Sequence, residues 1–141
     1  MAVKKQGFEG LIYYGVAGST AATQITNSRD ISENIDIEEG DTTVRGDGSA
    51  PPIHTSRVTG RTVGIDWQML NKSDDATLTA LRAAAATGIP VAIRTKSYAS
   101  GLGYDGDMIL KVKLGAPLKG EQTYDFSGMP NDDNRDPLVN V

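Results

Sequence analysis

From residue 24 to 38 the chain keeps a period of two: Ile25, Ile31, Ile35 and Ile37 occupy odd positions, while Ser32, Asn34, Asp36 and Glu38 occupy even ones. Strict alternation places one set of side chains on each face of an extended strand, so this segment predicts a strand with one buried face and one wet, acidic face. A second run, residues 57 to 71, repeats the signal. Val63, Ile65, Trp67 and Met69 share one side, Thr62, Asp66 and Gln68 the other, which makes the single tryptophan a core residue.

Between these runs, residues 38 to 56 (EEGDTTVRGDGSAPPIHTS) lose the pattern to glycines, adjacent prolines and charges, and predict a long loop directed at solvent. Downstream, Ser73 or Asp74 is placed to cap a helix over residues 74–87 that Gly88 and Pro90 end. Leu78, Leu81 and Ala85 form its apolar stripe, and the other alanines keep it slim. Further strands are expected over residues 7–14, 90–95, 107–114 and 121–128. In the third of these, Met108, Leu110, Val112 and Leu114 point inward and Lys111 and Lys113 outward. The result is one mainly β domain with one α-helix over residues 1–128, followed by a polar tail over 129–141.

Composition removes several function classes. A net charge of −4 does not suit a backbone grip on nucleic acid, which needs clustered Lys and Arg. No cysteine is present and His54 is the only histidine, so thiolate and histidine-cluster metal sites are excluded. The first ten residues lack the apolar stretch of a secretory signal, and no apolar run reaches the length of a membrane span. The expected product is soluble, made in the cytoplasm, and free of membrane and cofactor.

Four short motifs carry little. Gly101, Gly103 and Gly106 spell GxGxxG, but a strand follows where a dinucleotide site needs a helix, so the segment is a hairpin connector. Arg45, Gly46 and Asp47 form an RGD triplet whose bland reading is a charged turn. His54, Ser56 and Asp47 sit near one another in a proline-containing loop without the strand-turn-helix elbow of a nucleophile. The acidic runs around Asp36–Asp41 and Asp132–Asp136 lack the spacing of a calcium loop.

Taken in order, Ile25–Gly48 (ITNSRDISENIDIEEGDTTVRGDG), Thr59–Leu70 (TGRTVGIDWQML) and Asp74–Ile93 (DDATLTALRAAAATGIPVAI) resemble the major tail tube proteins of long-tailed phages. The resemblance implies a β-sandwich or partial barrel flanked by one helix, non-enzymatic, joining its neighbours into a hexameric ring. Stacked rings would form a hollow virion tail tube, made in the host cytoplasm, through which DNA passes as non-specific cargo. It implies partners in the chain itself and in tape-measure and tail terminator or initiator proteins. Ser32, Asn34, Asp36, Glu38, Lys111 and Lys113 become the candidate lumen face, and Asp41, Arg45, Asp47, His54 and Arg57 the candidate inter-ring loop. A tube subunit of a contractile or secretion-type injection device, and a stand-alone small β-barrel binding domain, are the alternatives.

Overall fold

A computed structural model of the chain describes residues 3–46 and 48–131. The described residues form a short 3-10 turn (Gly7–Glu9), strands β1 (Leu11–Val16), β2 (Thr23–Gln24), β3 (Ser28–Asp41) and β4 (Ser56–Leu70), helix α1 (Ala76–Thr87), and strands β5 (Val91–Lys96), β6 (Asp105–Gly115) and β7 (Thr123–Pro130). The sandwich or partial barrel resolves to a single antiparallel sheet of order β2-β1-β5-β6-β7-β4-β3. It curls into a half-barrel: β1 approaches the far edge strand β3, and the Ile25 amide donates to the Ile12 carbonyl at 2.9 Å.

One face of the sheet and the inner flank of α1 enclose the core. Val63, Ile65, Trp67 and Met69 are all buried, as their alternation requires, against Ile12, Ile93, Met108, Tyr124, Phe126, Leu78 and Leu81. The Trp67 and Phe126 rings, paired across β4 and β7, stack with centroids 5.3 Å apart and planes 10° from parallel, an arrangement that adds about 1 kcal/mol to the area they bury. The connector with the three glycines joins β5 to β6 as expected. Gly103 lies there against the Thr95 carbonyl, where no Cβ fits.

Several boundaries differ from the sequence reading. The aromatic N-terminal segment begins as the 3-10 turn, and its strand starts at Leu11. Both strands of the long hairpin run into the segment read as loop, leaving residues 42–55 as the tip. Asp75 is the helix cap, in place of Ser73 or Asp74: its carboxylate accepts from the Thr77 and Leu78 amides at 3.0 and 3.3 Å. A second carboxylate oxygen takes a hydrogen bond from Asn27 Nδ2, which also donates to the Leu70 carbonyl, so the cap is locked to β4. Ala85 packs on the core as a half-buried member of the stripe, and Ala84 beside it is buried as well. Gly88, at φ 72°, ends the helix in the left-handed conformation that glycine tolerates.

The alternation over β3 is real, but its apolar face is covered only in part. Ile25 is buried and Ile31 packs on the core, whereas Ile35 and Ile37 are 47% and 56% exposed. Here β3 and β4 have run past their pairing with β7, so among the described residues neither helix nor third strand lies beside them. At the far end of β6, beyond its last β5 partner, Met108 and Leu110 are buried but Val112 and Leu114, expected to point inward, are exposed.

Candidate assembly surfaces

The polar face of the sheet, opposite the core, gathers side chains from four strands. Register places Ser32, Asp66, Ser127 and Lys111 in one row across β3, β4, β7 and β6, and Arg29, Gln68, Asp125 and Lys113 in the next. All of these except Arg29 floor a shallow groove of about 470 Å³ that Asp30 also lines. Of the six residues expected on this face, the sheet therefore brings Ser32, Lys111 and Lys113 together. Asn34, Asp36 and Glu38 continue the face along β3 opposite Gly64, Thr62 and Gly60. Glu38 lies across Gly60, where an added Cβ would stand 3.0 Å from its carboxylate.

Asp66, Gln68, Asp125 and Ser127 belong to the same face, although sequence reasoning did not group them with it. Their signal was present: each occupies the position between two core residues of β4 or β7. What the sequence lacked was the strand order, which sets β7 between β4 and β6.

The hairpin residues divide differently. Asp41 closes β3 and Arg57 is the second residue of β4, opposite Gly40, while His54 flanks the cleft between the strand ends with Glu39 and Thr55. Arg45 belongs to the tip, and Asp47 lies outside the described residues, as does the tail from residue 132. The tip is tied at its base by the Thr42 and Thr55 hydroxyls, 2.8 Å apart, and by the Thr42 amide, which donates to the Thr55 carbonyl at 3.0 Å. Hydrogen bonds from the amide and hydroxyl of Thr43 hold the Asp41 carboxyl below its ordinary value. The Ser56 hydroxyl donates to Glu39 at 3.2 Å, an arrangement suited to fixing a strand end and not to activating a nucleophile.

The two sheet edges are unequal. Among the described residues β2 covers β1 only at Tyr13 and Tyr14, and β3 has no neighbour in the sheet beyond β4 over its 14 residues. A long strand edge of this kind offers a row of amides and carbonyls to another chain. Among the described residues no group of three or more acidic or histidine side chains is placed to hold a metal ion, and no helix is long and apolar enough to cross a membrane.

This curled antiparallel sheet with one packed helix is the tail-tube fold. Over 92% of this chain and 96% of that chain, at 17% identity and a TM-score of 0.76, it matches a chain of the tail of an empty GTA particle, refined helically with C6 symmetry. A chain of the native gene transfer agent virion matches over the same shares at 16% identity and a TM-score of 0.68. The SPP1 tail tube matches at 9% identity and a TM-score of 0.66, over 89% of this chain and 75% of that one. No family model matches the sequence, and no curated protein matches it. At these identities the likeness is one of fold.

Proposed function

We propose that this chain is a non-enzymatic structural subunit of a virion tail tube, assembling with copies of itself into hexameric rings that stack around a channel for DNA. The observation that carries the reading is the agreement of fold, over nine-tenths of the chain, with a particle tail of C6 symmetry. The uncovered edge of β3 supplies the ring contact: joined to the sparsely covered β1 edge of a neighbour, it removes both free edges in a head-to-tail contact that closes by rotation. Such a ring of sheets is wide enough to leave an aqueous channel.

The polar face lines that channel. Asp30, Asp36, Glu38, Asp66 and Asp125 outnumber Arg29, Lys111 and Lys113 on it, so the wall repels phosphate and DNA slides without being held. The β3–β4 hairpin is the ring-to-ring arm, and tape-measure and terminator or initiator proteins set the tube's length and ends.

Purified protein examined by light scattering and negative-stain microscopy is expected to form rings or tubes as concentration rises. A strict monomer at every concentration, with crowding agents present, would refute the reading. Deleting residues 43–55 is expected to leave a folded chain that no longer elongates, and tubes of unchanged length would overturn the arm assignment.

A further inference from the structure

The hairpin arm and helix α1 stand toward opposite ends of β4, a strand of 15 residues that spans about 50 Å. Beyond the last β7 partners, residues 34–41 and 56–64 form a two-stranded ribbon. Its core-side face carries Ile35, Ile37 and Val58, all about half exposed, and then Glu39 and Asp41 toward the tip, with Arg61 beside Ile37. A ribbon of two strands with an uncovered apolar face is marginal in water by itself.

At the other end, the β4–α1 turn and the outward flank of α1 enclose a groove of about 430 Å³. Ala83, Ala86, Leu78 and Tyr124 give it apolar walls, and Lys72 and Arg82 stand on it with no carboxylate among the lining residues. The Arg82 guanidinium lies 5.1 Å from the Tyr124 ring centroid, which holds that charge at the groove. One end of the molecule thus presents an apolar strip ending in carboxylates, and the other an apolar groove with two cations.

We infer that the arm of one copy seats in the α1 groove of the next, Ile37 and Val58 against Ala83 and Ala86, with Glu39 and Asp41 facing Lys72 and Arg82. The inference rests on the tube reading above and names the receiving surface for its arm. A contact between opposite ends of identical chains cannot satisfy itself within one molecule. It repeats along an axis without closing, which is the symmetry of stacking.

The absence of cysteine from the chain makes a clean test. The double variant Ile37→Cys/Ala83→Cys, oxidised after assembly, is expected to give a ladder of disulfide-linked oligomers on a denaturing gel, because the two positions lie too far apart to join within one copy. Glu39→Lys/Asp41→Lys and Lys72→Glu/Arg82→Glu are each expected to raise the concentration needed for tubes at least about tenfold, and their combination in one chain to restore it. Tubes that give no ladder, or both charge variants assembling like the parent, would overturn the groove contact while leaving the tube itself standing. A parent chain that never assembles overturns the tube reading, and this inference with it.

Discussion

Replacing Asp75 by alanine isolates one junction on which the helix and the sheet both depend. The carboxylate accepts two orphan amides at the helix start and a hydrogen bond from Asn27 Nδ2 at 3.1 Å. Loss of such a cap costs about 1 kcal/mol, and the weakened Asn27 contact about 0.5 kcal/mol more, since that amide keeps the Leu70 carbonyl at 2.7 Å. An unfolding entropy of about 2.1 cal/mol/K per residue then lowers Tm by about 5 °C. Ser73→Ala and Asp74→Ala, at exposed positions outside the cap, are expected to change stability by less than about 0.5 kcal/mol. Asp75→Ser, which retains a capping oxygen but not the reach to Asn27, falls between them. Thermal and urea unfolding followed by circular dichroism measure all four. If Asp74→Ala costs as much as Asp75→Ala, or Asp75→Ser as much as Asp75→Ala, the cap and its link to Asn27 are wrongly assigned.

Gly103→Ala is expected to be among the most damaging single changes, because the new Cβ overlaps the Thr95 carbonyl inside the β5–β6 connector; loss of soluble yield or a drop in stability above about 2 kcal/mol would show it. Ile65→Ala should cost about 2–5 kcal/mol at a fully buried position, whereas Ile37→Ser on the exposed arm should barely move the urea midpoint of the monomer and yet impair assembly. Phe126→Ala should cost about 3–5 kcal/mol by removing the ring stacked on Trp67. Lys111→Ala and Lys113→Ala, both exposed on the polar face, should leave unfolding within about 0.5 kcal/mol of the parent.

The elements most legible in the sequence were those whose side chains meet a neighbour within the same chain. Alternation alone places Trp67 in the core, and Gly88 ends the helix where the residue type demands it. The cap was missed by one or two positions because Ser73, Asp74 and Asp75 are chemically equal candidates; Asn27, distant in sequence, decides between them. Asp66 and Asp125 escaped the polar face for a related reason. Alternation assigns a residue to a side of its own strand, but only the order β6-β7-β4-β3 puts those sides together.

The two exposed isoleucines are the more instructive departure. Period-two alternation records where apolar side chains stand, and for Ile35 and Ile37 it continues past the last residue that the single chain covers. A strand free of further demands would turn polar at that point, as solvated hairpin ends ordinarily do, and the cost of leaving two half-exposed isoleucines beside Val58 would be avoided. Under the assembly proposed here the pattern has a physical cause: the cover is supplied by the next copy. Ile35→Lys/Ile37→Lys should increase the solubility of the isolated chain while abolishing elongation, as read by sedimentation and negative-stain imaging. A variant that is more soluble and still builds tubes would show that the strip faces water in the assembly, and the burial argument for the arm would fail.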